Sequence, residues 1–510
     1  MNNNYGMKRG IYNVLAGFLN QIITILLGIL VPRLVLVSFG SEVNGLVNSI
    51  TQIFVYFSLL EAGVGAATLQ ALYGPVARDD KASINEILAA TSQYYKKTGI
   101  VYFFAVLGLA VVYPLVVSTD IPPMTIILVI LLQGMVGVAN YFFQGKFRYL
   151  LEAEGKNYII TNLTTMVTIL TNVAKIILLL LGADIVIVQA SYMVFNLLQM
   201  LFIAVYIHRR YKWLNLKVQP NYNAISQKNN ALIHQFSNLI FNNTDVLILT
   251  VVCGLKVASV YSMYTLFFNM INTMLTTASS GVVFTLGQRF NVDREGYTKL
   301  FDCYESYYLS LVFTLFAVTY IFILPFMKLY TAGITDINYI DQYLPMLFVA
   351  MNLLSAGRGP SNNTINIAGH FKQTQWRSIL ETAINVSVSL VCVYFYGIYG
   401  VLFGTIAALL YRANDMIIYS NRVILKRSPK KTYRRWGIDL VLLLIILFVS
   451  SQIHLALDTY GQIILWAAIY LIIIAGIFFG VTSLTERESA KMIGSLFRPL
   501  WQKLFHRGDR

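Results

Sequence analysis

Apolar stretches of about twenty residues recur along this chain, each divided from the next by a short polar or charged break. A helix rising 1.5 Å per residue needs about twenty residues to cross the ~30 Å hydrocarbon of a bilayer. Lipid offers no water to unpaired backbone groups, so a spanning segment must satisfy its own N–H and C=O groups, as a helix does. The pattern therefore predicts an all-α polytopic membrane protein with about 14 transmembrane helices. The expected spans are 11–37, 43–72, 98–118, 123–145, 157–181, 184–207, 231–253, 257–286, 301–326, 342–366, 374–396, 398–420, 437–455 and 460–483. The first run is too long for the apolar region of a cleavable signal, so it is expected to remain as a helix.

Composition agrees. The 510 residues are 57% apolar and 12% charged, about half the charge of a soluble domain, and the mean hydropathy is +0.64. Too few charges are present to cover soluble domains of this length, which excludes a soluble enzyme and a disordered chain. Cys253, Cys303 and Cys392 lie far apart in apolar stretches and read as small buried hydrophobes, not as a disulfide framework or a metal site. The net charge of +15 points to basic inner loops facing anionic lipid, not to nucleic acid.

The basic residues orient the chain. Only Lys256 and Lys328 fall in loops expected outside, and Arg33, Lys175, Arg358 and Arg412 fall within spans; the remainder lie on the inner side, with both termini in the cytoplasm. Outer loops carry Glu42, Asp120, Asp184, Asp336, Asp341 and Asp458 instead. Trp213, Trp376, Trp436 and Trp501 fall on the inner side, where interfacial anchors belong. The tail places Ile493, Leu496, Phe497, Leu500, Trp501, Leu504 and Phe505 among basic residues, the pattern of an amphipathic helix on the inner leaflet.

The chain also repeats itself. Gly40 and Val43 before the second span match Gly254 and Val257 before the eighth; Ser92-Gln-Tyr-Tyr95 resembles Glu305-Ser-Tyr-Tyr308; Gly155-Lys156 matches the Gly-x-x-Lys from Gly369 to Lys372; and Gly182 parallels Gly397. The near-constant offset implies two six-helix halves of the same orientation. This gives an N-terminal lobe over 1–207, a cytoplasmic linker over 208–230, a C-terminal lobe over 231–420, a basic loop over 421–436, two additional helices over 437–483 and a cytoplasmic tail over 484–510.

Polar residues inside the spans are the candidate functional groups, because lipid penalises them unless they face a partner or a wet cavity. The charged ones are Arg33, Glu61, Lys175, Asp245, Arg358, Glu381, Arg412 and Asp415. Others form stripes at helical spacing: Asn13, Gly17, Asn20, Gln21, Thr24 and Gly28; His234, Asn238, Asn242 and Asp245; Asn269, Asn272, Thr273, Thr276, Thr277 and Ser280; and Asn352, Ser355, Asn362, Asn363 and Asn366. Such faces serve either as interhelical glue or as the wall of a wet cavity. Their presence in both halves favours the wall, with Arg33, Glu61, Arg358, Asn20, Asn242, Asn269 and Asn362 as substrate-binding candidates. Arginine at depth suits a pyrophosphate-linked ligand, because it stays charged and forks two hydrogen bonds onto phosphate. The alternatives are ion pairs, Arg358 with Glu61 or Arg412 with Asp415, and snorkelling of Arg33 to the outer surface. Glu381, Arg412 and Asp415 are candidates for a cavity or a structural pair, Asp245 and His234 for proton or ion coupling, and Lys175 for snorkelling outward. No catalytic or metal motif is present: there is no Gly-x-x-x-x-Gly-Lys-Ser/Thr and no His-Glu-x-x-His. Gly63-Val-Gly65 lacks the rest of a dinucleotide site and reads as close helix packing.

Several segments resemble polysaccharide-export flippases of the O-antigen (Wzx-like) type, within the multidrug, oligosaccharidyl-lipid and polysaccharide exporter superfamily. They are Asn13 to Gly17 with Val31-Pro-Arg33; Leu60-Glu-Ala-Gly-Val-Gly65; Asp245 to Gly254 with Val257 to Tyr264; and Arg358-Gly-Pro360 through Ile367-Ala-Gly-His370-Phe-Lys372, Glu381, Asn385 and Ser389 to Gly400 and Gly404. The resemblance implies a V-shaped bundle of two lobes around a cationic cavity. It implies transfer of an undecaprenyl-diphosphate-linked oligosaccharide between leaflets of a bacterial plasma membrane, without a cofactor and with coupling to H+ or Na+. The implied partners are membrane lipid, the lipid-linked glycan and other glycan-assembly membrane proteins. Competing expectations are a flippase for lipid-linked peptidoglycan precursors, a cation-coupled drug exporter of the same superfamily, and a membrane glycan polymerase or ligase. The longest outer loop, 327–341, has no His or Arg to serve such an enzyme.

The topology is directly testable. A cysteine placed at Asp458 in intact cells is expected to react with a membrane-impermeant maleimide, and one at Lys430 only after permeabilisation. The reverse pattern would invert the orientation.

Overall fold

The computed structural model describes residues 3–61, 64–143, 145–225, 228–453, 455 and 457–494, with side chains except at 3–25, 66, 228–236 and 238. Every regular element among the described residues is helical. The helices are α1 (Asn3–Phe57), α2 (Val64–Ala77), α3 (Lys81–Val116), α4 (Pro123–Phe143), α5 (Gly145–Ala153), α6 (Asn157–Leu180), α7 (Ile185–Arg210), α8 (Lys228–Val252), α9 (Leu255–Phe290), α10 (Arg294–Tyr330), α11 (Leu344–Gly357), α12 (Gly359–Ile367), α13 (Phe371–Tyr396), α14 (Ile398–Tyr419), α15 (Lys430–Ser451) and α16 (Tyr460–Thr485). Each expected span falls on one helix or on a helix interrupted once. Among the described residues nine helical stretches are long and apolar enough to cross a membrane. The 36-residue α9 is not one of them, because its Asn, Thr and Ser residues dilute its apolar character. The expected amphipathic tail lies almost entirely beyond residue 494, outside the described residues.

The first expected span and the start of the second share α1, in which two helices meet at a kink at Gly40 (φ 81°, ψ −179°). That left-handed conformation is open to glycine and strained for other residues. The break frees the N–H groups of the following turn. Ser41 donates its backbone N–H and its hydroxyl to the Asp336 carboxylate, at 2.8 and 2.7 Å, and a carboxylate at a helix start is favoured by the helix dipole.

Left-handed glycines also mark the repeat. Gly40 and Gly254, Gly155 and Gly369, and Gly182 and Gly397 all have positive φ, each pair separated by 214 or 215 residues. Both halves pass from a long helix (α3, α10) to an interrupted one (α4–α5, α11–α12) and then to a tight helix pair (α6–α7, α13–α14).

Packing divides the chain into two compact units. The first comprises 1–262 with 333–337, and the second comprises 263–332 with 338–510. The packing boundary lies within α9, so α8, which opens the second half of the sequence repeat, packs with the first unit. Asn44 donates to the Ser259 hydroxyl at 2.7 Å, and Tyr56 shares a 2.5 Å hydrogen bond with Thr244. The core of the first unit gathers Tyr95, Tyr102, Val106, Tyr113, Val129, Ile130 and Tyr141, with the Tyr113 hydroxyl donated to Ser49. Glycine 65 allows close packing, since a β-carbon there would strike the Tyr149 ring. On α3 the opposite face, Ile100, Phe104, Val111 and Leu115, is exposed and wholly apolar, as a lipid-facing surface should be.

The second unit is built on α10. Phe268 stacks with Phe316 and Phe348, and Phe348 stacks in turn with Tyr264. Asn385 of α13 donates to Thr405 of α14 at 2.8 Å. The additional helices are joined to α10 by charge. Arg435 of α15 is 3.1 Å from Asp302, 2.5 Å from Glu305 and 2.9 Å from Glu486. Arg427 and Lys431 also bind Asp302, at 2.7 and 2.8 Å, and Thr432 donates to Glu305. Trp436 packs edge-on against Phe313, and Trp376 is exposed.

Removing one member of a buried ion pair leaves the other charge uncompensated, at a cost of about 3–5 kcal/mol. Glu305→Gln is therefore expected to lower the thermal unfolding midpoint of the detergent-purified protein well below that of an exposed control such as Glu295→Gln. Glu486 adds a pH dependence. Burial alone would raise its carboxyl, but hydrogen bonds from Arg435 and Arg434, with the charge of Lys431, hold it below the ordinary 4.5. A depressed folded value stabilises above the unfolded one and is lost as pH falls through the folded value. The destabilising effect of Glu486→Gln should therefore be full at neutral pH and shrink as pH falls below about 4.5.

Candidate functional site

In the second unit, Pro360 lacks the N–H that would continue the ladder from α11 into α12, and the helix breaks with Arg358 at the joint. The Arg358 guanidinium donates to Glu381 of α13 at 2.5 Å. Arg412 of α14 approaches the other Glu381 oxygen at 3.3 Å, donates to Asp415 at 2.6 Å and reaches the Ser378 hydroxyl at 3.1 Å. Arg377 completes the chain by donating to Asp415. Arg358, Glu381, Arg412, Asp415 and Arg377 thus form one network with three cations and two anions. Each of these side chains is largely buried, so the pairing is what makes the charges tolerable. The expected pairing of Arg412 with Asp415 is present. Arg358 pairs with Glu381.

Glu61 lies in the first unit at the end of the turn that follows α1. It accepts hydrogen bonds from Tyr95 at 2.5 Å and Tyr149 at 2.9 Å. Asp245 of α8 is buried and accepts from Tyr261 at 2.7 Å. Arg33 is half-buried in α1, and Asn242 is exposed on α8. The side chains of Asn20 and His234 lie outside the described residues.

The polar stripes serve both of the expected purposes, residue by residue. Asn272 of α9 donates to Asn352 of α11 at 2.7 Å, and Asn352 donates onward to the Phe348 carbonyl; Asn363 donates to the Tyr304 hydroxyl at 3.1 Å. These residues join helices. Asn269, Thr273, Thr276, Thr277 and Ser280 are instead exposed along α9, the threonine and serine hydroxyls donating back to carbonyls of their own helix. Inward donation partly masks the hydroxyls without making the face apolar. This exposed polar face contrasts with the exposed apolar face of α3, and hydrocarbon would not solvate it. Asn362, on α12, is half-buried.

The sequence reading missed two features. Arg377 counts among the inner-side basic residues although it falls at the start of the expected span 374–396, and its side chain reaches Asp415. Lys175, expected to snorkel, instead lines a cavity of about 510 Å³ within the first unit, its ammonium 5.1 Å from the centre of the Tyr192 ring. Among the described residues no group of three or more His, Cys, Asp or Glu is placed to hold a metal.

No family model and no curated protein matches the chain. Among solved structures it is similar to the lipid II flippase MurJ in an inward closed conformation, at 13% identity and a TM-score of 0.68, over 92% of this chain and 99% of that one. It is also similar to a multidrug-resistance MATE family transporter of the MOP superfamily in inward-facing form, at 16% identity and a TM-score of 0.62, over 79% and 95% of the two chains. The outward-facing form of such a transporter gives 15% and 0.54, over 80% and 95%. The chain is an all-helical, multi-pass membrane protein with the fold of MOP-superfamily transporters.

The network predicts a specific coupling. Glu381→Gln leaves Arg358 and Arg412 with one carboxylate between them and should destabilise by about 3–5 kcal/mol. Adding Arg358→Met should recover much of that loss, read as unfolding midpoints of the single and double variants; additive losses would show that the two side chains are not coupled.

Proposed function

We propose that this protein is a transporter that moves an undecaprenyl-diphosphate-linked oligosaccharide from the inner to the outer leaflet of a bacterial plasma membrane. The observation that carries the reading is the exposed amide and hydroxyl face of α9, from Asn269 to Ser280, which contrasts with the exposed apolar face of α3. A sugar head group cannot enter hydrocarbon without losing the hydrogen bonds of its hydroxyls. A polar face replaces that hydration while the lipid tail remains in the bilayer, and alternating access carries the head across. The cationic excess of the Arg358 network suits a diphosphate.

The reading is supported by the fold shared with a protein described as a lipid II flippase. The same likeness keeps a peptidoglycan-precursor substrate as the second reading, and the MATE likeness keeps drug export in the class. Membrane lipid, the glycan and glycan-assembly membrane proteins are the proposed partners. Cytoplasmic termini and coupling of Asp245 to a H+ or Na+ gradient belong to the same proposal.

The test is export. Arg358→Ala should cut surface glycan at least about tenfold per molecule of protein in the membrane, as expected when a charged ligand loses a bidentate partner. Full export by this variant would remove Arg358 from the site. Rescue of cells depleted of their peptidoglycan-precursor flippase would favour the second reading.

A further inference from the structure

The 510 Å³ cavity of the first unit is lined by α1 and α3 to α7, and its described lining includes none of the residues that the sequence reading put forward as substrate-binding. Its size is that of a small-molecule site. Its chemistry is one-sided. Lys175 and Arg148 line it, and among the described residues no Asp or Glu does. Among the described residues no acid lies within ion-pair distance of Lys175. A cation on a membrane helix without a carboxylate is costly and points to function; the Tyr192 ring face, 5.1 Å away, offsets only part of that cost.

The neutral groups carry a second signal. Gln189 is only 3% exposed, lines the cavity and makes no hydrogen bond with any described residue. The Oε1 of Gln133 is buried without a hydrogen-bond partner. Asn140, also in the lining, makes no side-chain hydrogen bond with a described residue. Buried amides are almost always satisfied within the protein; here the buried Gln189 and the half-buried Gln133 and Asn140 line one space that contains a cation. Tyr102 and Tyr192 add aromatic surface. A coupling cation would be repelled by Lys175 and would find no anionic ligand. An apolar drug would strand the amides.

We infer that this cavity binds an acidic sugar: a hydroxylated ring bearing one oxyanion. Lys175 takes the oxyanion, Gln133, Asn140 and Gln189 take the ring hydroxyls, and Tyr102 and Tyr192 take the apolar ring faces. The assignment names a substrate class for the transport reading and rests on that reading for its biological meaning. Binding is measured without transport, so the two can fail separately.

The test uses the full chain in lipid nanodiscs and isothermal titration with glucuronic acid, glucose 1-phosphate, glucose and inorganic phosphate. At least one acidic sugar is expected to bind about tenfold or more tightly than glucose, and the preferred one tells carboxylate from phosphate. Lys175→Met and Gln189→Leu should each weaken that binding about tenfold, the loss expected when a buried polar partner is removed. Lys175→Arg should retain more binding than Lys175→Met. The unfolding midpoints of all variants are measured alongside; a variant that fails to fold is replaced by Lys175→Gln or Gln189→Ala. Equal binding of glucose and the acidic sugars, absence of binding by both acidic sugars, unaltered binding by folded Lys175 variants, or binding of phosphate as tight as that of any sugar would each overturn the assignment.

Discussion

A charged or hydrogen-bonding group inside hydrocarbon has no water to return to, and the architecture follows from how each such group is satisfied. Helices satisfy the backbone by themselves. Where a helix is interrupted, another part of the chain must answer. Gly40 breaks α1, and the Asp336 carboxylate accepts the N–H and hydroxyl of Ser41. Pro360 breaks the passage from α11 to α12, and the joint carries Arg358, whose charge is met by Glu381. Interruption and polar group occur together because a broken ladder is tolerable only where protein partners are at hand.

The same constraint sorts side chains into classes that sequence spacing alone cannot separate. Asn272 and Asn352 are spent on each other, and Glu61 is spent on two tyrosines. The α9 face from Asn269 to Ser280 is not buried in this way, and neither Gln189 nor Lys175 makes a hydrogen bond with a described residue. Groups already satisfied hold helices together; groups left over, and the one cation by which the Arg358 network exceeds its carboxylates, are available to a ligand. The ion network at Arg435 belongs to the first kind. It ties α15 and the end of α16 to α10 through carboxylates and guanidinium, which explains why the basic run from Arg427 to Arg435 does not behave as a solvated loop.

Much of this was legible along the chain. Helix number followed from the length of apolar runs, and the glycines that the repeat singled out adopt matching left-handed conformations. The pairing of Arg412 with Asp415 was legible because a spacing of three puts both on one helix face. The partner of Arg358 was not, because α11 and α13 are brought together only by packing. Arg377 and Lys175 were misread for a related reason: position relative to a membrane boundary says how deep a residue sits, but not toward which neighbour its long side chain turns.

The sequence by itself determined that this chain crosses a membrane many times as helices and that its two halves descend through the same order of elements. These are consequences of lipid as solvent and of local backbone preference, both of which act residue by residue. The tertiary structure decided which polar groups are consumed and which remain, that α8 packs with the first unit, and that a cavity with a cation and unspent amides lies among α1 and α3 to α7. Those outcomes depend on which helix faces meet, and such contacts join residues far apart in the chain, where no local pattern records them.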